Sequence, residues 1–165
     1  MLSTLRRFAV VLCLPLALAL SGCVAQFQTL QPYTPGEGVN ADLGSSIRVR
    51  NLLVVADTSG KGVISASLVT YVDDTLTSVT GVAQKADGTT GSALVTTPTG
   101  LPLTLPANSL QVLTNPPTRL AVSSPDLKAG LLAQITLNFT KAGPITLVAP
   151  VLSSSDPDFE GITIG

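Results

Sequence analysis

The sequence predicts an all-β protein, an antiparallel sandwich of two sheets, and three observations carry that expectation. Thr, Val, Leu, Ser, Gly and Pro dominate a chain of which only 12% is charged, a composition that favours strands and turns over helices. Apolar residues alternate with a period of two through short runs, and no run sustains a helical period. Gly, Pro and Asp punctuate these runs at the close spacing of a sandwich.

The chain opens with an export signal rather than with the fold. Arg6 and Arg7 form a positive start, Phe8 to Leu20 an apolar run, and small residues precede a cleavage point. The run is about 13 residues, short of the ~20 that span a bilayer, and Pro15 interrupts it. Leu20-Ser21-Gly22-Cys23 resembles the lipobox of bacterial lipoproteins. That resemblance implies a diacylglycerol thioether on Cys23, cleavage between Gly22 and Cys23, and a lipid-anchored place on the extracytoplasmic face of the cell membrane. Two acyl chains would hold the protein firmly to one leaflet. Cys13 leaves with residues 1–22 and Cys23 is consumed by lipid, so the remaining domain has no thiol for a disulfide, nucleophile or metal site.

Residues 23–45 read as a flexible tether, because Pro32, Pro35, Gly36 and Gly38 break any element. As a coil of roughly 22 residues it would span about 25 Å. Phe27, Leu30 and Tyr33 are more apolar than a spacer needs, and suit either the membrane interface or the domain surface.

Residues 46–151 hold the sandwich. Ile47 to Val55 is a strand that ends at Asp57-Thr58-Ser59-Gly60, and Val63 to Val72 is a second, with Ile64, Ala66, Leu68, Thr70 and Val72 on one face. Asp73-Asp74-Thr75 is a turn, since Asp bonds locally to the backbone. Leu76 to Ala83 is extended, and Asp87-Gly88 joins it in a hairpin to Ser92-Ala93-Leu94-Val95. Two prolines confine Leu101 to Pro106 to a sheet edge. Ser109 to Leu113 and Arg119 to Ser123 are short strands on either side of Pro116-Pro117. Leu132 to Thr140 and Pro144 to Val151 form a last hairpin through Lys141-Ala142-Gly143. About eight strands in about 105 residues suffice for a core without disulfides. Residues 152–165 are acidic and are expected to be a loose tail.

Part of the domain has a recognisable pattern. Leu105-Pro106-Ala107-Asn108-Ser109, Leu127-Lys128-Ala129-Gly130, Ile135-Thr136-Leu137-Asn138-Phe139 and Gly143 to Val151 resemble the PCu(A)C periplasmic copper-chaperone family. They also resemble actinobacterial lipoproteins of that superfamily. The resemblance implies a cupredoxin-like, Ig-like Greek-key sandwich, and a link to copper insertion into a respiratory complex. Family members hold Cu(I) with two His and two Met, one pair being a His-x-Met before the Leu-Lys-Ala-Gly turn. Counting back from that turn puts Pro117 and Arg119 at the His and Met positions. The chain has no His, and its single Met is Met1, whereas Cu(I) needs soft thioether, thiolate or imidazole ligands. No metal ligand set and no cofactor is therefore expected.

The remaining candidates are few. Gly60-Lys61-Gly62 lacks the spacing of a phosphate loop and reads as a turn. Asp156 to Glu160 lacks the glycine and distal Glu of a calcium loop. Serine has no histidine base, so catalysis has no residues to name. Removing 22 of 165 residues leaves 143, in which seven basic residues meet ten acidic ones, a net charge of about −3 that disfavours nucleic acid. Arg48, Arg50 and Arg119 are candidates for a partner-facing patch. The expected function is protein–protein contact by a membrane-anchored, non-catalytic lipoprotein, with a respiratory-complex partner implied by the resemblance. The alternative is a carrier of copper or a small ligand.

Overall fold

The computed structural model describes residues 36–114 and 116–164, so the expected export signal, Gly22, Cys23 and the first part of the expected tether lie outside the described residues. Within them the chain is almost entirely strand: β1 (Val39–Leu43), β2 (Ile47–Ala56), β3 (Lys61–Thr70), β4 (Asp74–Gln84), β5 (Thr90–Ala93), β6 (Val95–Thr99), β7 (Leu103–Leu105), β8 (Ser109–Val112), β9 (Arg119–Ser123), β10 (Leu132–Phe139) and β11 (Gly143–Ser153). No described helix is long and apolar enough to cross a membrane.

Two sheets enclose one core. The front sheet runs β6-β9-β3-β2, with β8 beside β9 on one edge of β3 and β1 on the far edge of β2. The back sheet runs β5-β4-β10-β11, with β7 on β4. β11 belongs to both. Residues 143–150 pair with β10, and Val151, Leu152 and Ser153 then run parallel to Val54, Val55 and Ala56 of β2. The sandwich is thus closed along one side by a shared strand, and every other described ladder is antiparallel. Ile47, Val49, Leu52, Val54, Ile64 and Leu68 of the front sheet meet Leu76, Ile135, Leu137 and Phe139 of the back.

The Leu52–Val55 run is apolar throughout because β2 changes face partway along. Val49 lies opposite Leu68 in the core, and Val54 lies opposite Ile64 in the core, although the offset between Val49 and Val54 along β2 is odd. The register shifts between Arg50 and Leu53, and Asn51 sits there at φ 52°. Such a bulge reverses which side chains point inward. Beyond it Val55 and Val63 pair on the outer side of the sheet, yet both are fully buried.

Three sequence expectations need correction. The tether read as reaching residue 45 gives way to β1, which Asn51 pins: the Gly38 amide donates to Asn51 Oδ1 at 2.7 Å, and the Asn51 amide donates to Asn40 Oδ1 at 2.8 Å. The run 92–95 is not one strand. Ala93 pairs with Val82 in the back sheet and Val95 with Ser123 in the front, and buried Leu94 is the crossing point. Asp126 fixes this corner by accepting the Ser92 amide and hydroxyl, both at 2.7 Å.

The acidic end is structured as well. The Ser154 amide donates to the Ala56 carbonyl at 2.9 Å. Asp156 then caps a 3-10 turn over Pro157–Phe159 by accepting the Asp158 amide, and Arg119 Nη2 donates to the Thr163 carbonyl at 2.6 Å. The segment is therefore tied at β2 through Ala56 and at β9 through Arg119.

Candidate functional site

The outer face of the front sheet, at the end away from the C-terminal segment, is built by register. Arg48 on β2 lies opposite Val69 on β3, which lies opposite Leu110 on β8. In the next row Arg50, Ser67 and Val112 are aligned in the same way. Tyr71 continues the face beyond Val69. The neighbours of Val69 on the strand, Leu68 and Thr70, are fully buried, as alternation requires. Leu110 is 60% exposed, Val112 53% and Tyr71 42%.

The two arginines of this face differ. Arg50 is committed to β1: Nη2 lies 2.7 Å from Asp42 Oδ1, and Nη1 donates to the Ala41 and Val49 carbonyls at 3.1 and 2.9 Å. The exposed Arg48 places its guanidinium carbon 5.2 Å from the centre of the Tyr71 ring, within cation–π range. Arg119 does not join them. It lies across β3 on β9, bonded to Thr163, and lines a groove of about 270 Å³ with Lys61, Thr97, Thr99 and Ser123. Pro117 follows a cis peptide bond and is exposed. Of the three arginines singled out as partner-facing, the structure brings together Arg48 and Arg50.

The opposite side of the sandwich is different in kind. On the outer face of the back sheet, Thr80, Thr136 and Thr146 form a row across three strands. Val82, Gln134 and Val148 flank it on one side, and Ser78, Asn138 and Pro144 on the other. None of these residues is ionisable. Their polar groups partly satisfy one another: the Thr136 and Thr146 hydroxyls are 2.8 Å apart, and Asn138 Nδ2 donates to Ser78 Oγ at 3.1 Å. Sequence alternation placed these residues together on a face, but it did not single that face out, because Thr and Ser carry no motif.

Carboxylates serve the framework. Asp74, buried, accepts the Thr75 and Lys141 amides through Oδ1 and the Ala142 amide through Oδ2, at 2.7 to 2.9 Å. Burial pushes its pKa up, but the amides of Lys141, Thr75 and Ala142 and the Lys141 charge outweigh this and hold it below 3.8. Asp73 accepts the Ala107 amide at 2.8 Å. The pair is therefore more than a local turn, since Asp74 reaches a hairpin far along the chain. Asp57, Asp87 and Asp126 are also held low, chiefly by the hydroxyls of Ser59, Thr89 and Ser92 respectively. Among the described residues no three of His, Cys, Asp and Glu gather where a metal ion could be held.

No protein-family model matches the chain, and no curated protein does. Solved structures similar to it include the copper-bound PCuAC domain from PmoF2, at 20% identity over 70% of this chain and 98% of that one, with a TM-score of 0.47. The apo PmoF2 PCuAC domain is similar at 20% identity over 72% and 98%, with a TM-score of 0.48. The apo PCuAC domain from PmoF1 is similar at 18% over 70% and 99%, with a TM-score of 0.49. Likeness at this level concerns the course of the backbone and transfers no copper chemistry to this chain.

Proposed function

We propose that this chain is a lipid-anchored, extracytoplasmic, non-catalytic lipoprotein that acts by protein–protein contact through the outer face of its back sheet. The observation that carries the reading is the nine-residue array around Thr80, Thr136 and Thr146, which holds no ionisable group. Depletion of charge is the compositional mark of an interface core. Where its polar groups already pair, Thr136 with Thr146 and Asn138 with Ser78, a partner can cover them without leaving them unsatisfied. The anchor rests on the lipobox at Cys23.

The contact reading is tested by purifying the tagged protein from membranes in mild detergent, as the native chain and as Thr80→Lys. A stoichiometric partner retained by the native chain and lost from T80K, with the fold intact by circular dichroism, is the expected result. Equal retention by both would exclude this face. Withdrawal of stoichiometric copper from a Cu(I) chelator by the purified domain would favour a carrier instead. Globomycin should leave an unprocessed precursor, and Cys23→Ala should release or misprocess the protein.

A further inference from the structure

The front face described above is amphipathic in a way the back face is not. It joins a cation, an aromatic ring and two exposed aliphatic side chains on one plane of sheet: Arg48, Tyr71, Leu110 and Val112. Tyrosine suits the boundary between acyl chains and headgroups, because its ring is apolar and its hydroxyl is wet. Arginine can lay its stem along apolar surface while its guanidinium meets an anionic group. We propose that this face rests on the anionic bilayer surface to which the chain is tethered, with Leu110, Val112 and Tyr71 at the headgroup boundary and Arg48 on lipid phosphate.

The chain outside the described residues argues for this occupant. The first described residue is Gly36, and Gly38 is fixed to Asn51 on β2, next to Arg50 of the same face. The lipobox cysteine precedes Gly36 by 13 residues. Whatever its conformation, such a chain reaches no further than about 45 Å. The face is therefore confined near a bilayer, and a weak surface affinity suffices when the effective concentration is high. Locally, Arg50 offsets Asp42 in an ion pair, and Arg48 beside Tyr71 is the cation this face presents to an anionic headgroup, while Asp73 at its margin keeps its charge as it accepts the Ala107 amide. The proposal rests on the lipid-anchor reading for its tether, and it leaves the back face turned away from the membrane and open to a partner.

The test supplies the tether chemically, so it does not depend on lipidation in the cell. The chain from Cys23 onward has a single thiol, which can be coupled to a maleimide lipid in vesicles of phosphatidylcholine with or without phosphatidylglycerol. Leu110→Trp and Thr80→Trp give reporters on opposite faces of a protein that has no other tryptophan. On phosphatidylglycerol vesicles the L110W emission should shift to the blue and be quenched by brominated acyl chains, while T80W emission is unchanged. Adding Arg48→Ala should reduce the L110W shift. Unquenched L110W, or equal quenching of both reporters, would overturn the proposal and leave the front face to a protein partner. Failure of lipidation itself would appear separately, as a Cys23 that carries no lipid in cells.

Discussion

Asp74 is where the β3–β4 crossover between sheets meets the β10–β11 hairpin, and its chemistry follows from what it touches. One carboxylate satisfies three backbone amides, at Thr75, Lys141 and Ala142, so it fixes the start of β4 against the β10–β11 turn. Asp74→Ala leaves those donors without their acceptor and should cost about 2 kcal/mol in urea unfolding. Because its folded pKa lies below its unfolded one, the stability it contributes is present above the ordinary carboxylate value of 3.8 and is lost as pH falls through the folded value. Native protein should therefore lose stability on acidification below about pH 4, and Asp74→Asn should flatten that dependence; identical pH profiles would contradict the clamp. A sequence reading sees two adjacent aspartates and infers a turn. Their long-range partners are backbone amides, which leave no mark in the sequence. Arg48 and Arg50, by contrast, were legible as a pair because alternation alone places them on one side of β2.

At the scale of elements, hairpins were the legible part. Asp57 to Gly60, Asp87-Gly88 and Lys141 to Gly143 turn the chain where their residues suggest, because each carries its own local chemistry. Gly60 shows how demanding such a site is: it stands at φ 81°, and a Cβ there would collide with the Ser124 carbonyl oxygen. What local pattern could not show was a change of face or of sheet. A period of two continues through Leu94 while the chain passes from one sheet to the other, and the parity switch at Asn51 looks in sequence like a plain apolar run. β1 was hidden for a related reason: Val39, Ala41 and Leu43 alternate, but the neighbouring glycines and prolines mask so short a run. Since Asn51 holds β1 through its side chain, Asn51→Ala should speed hydrogen exchange at residues 38–43 while β3 and β10 stay protected. It should lower stability by about 1–2 kcal/mol, from strain at a left-handed position and a lost acceptor. Unchanged exchange in β1 would show that backbone pairing alone suffices.

At the scale of the molecule, the sandwich has two unlike outer faces and a C-terminal strap. The strap is tied at Ala56 and at Arg119, and Val55 and Val63 on the outer side of the intervening strands are fully buried, so truncation after Ser154 should expose that apolar pair, lower the melting temperature and raise dye binding; an unchanged melt would mean the segment covers nothing of consequence. Its acidic composition suggested a solvated tail, because composition cannot reveal that a polar segment is tied down at both ends by backbone groups. The two faces are unlike in chemistry: one carries Arg48, Tyr71 and Leu110, while the nine residues around Thr136 on the other include no ionisable side chain. The most direct measurement of this account is site-specific photo-crosslinking in intact membranes from a probe at Thr80. One discrete protein adduct is expected, dependent on Cys23 and absent when the probe is moved to Leu110. A Thr80 probe that yields no protein adduct, while the protein is folded and membrane-bound, would contradict it.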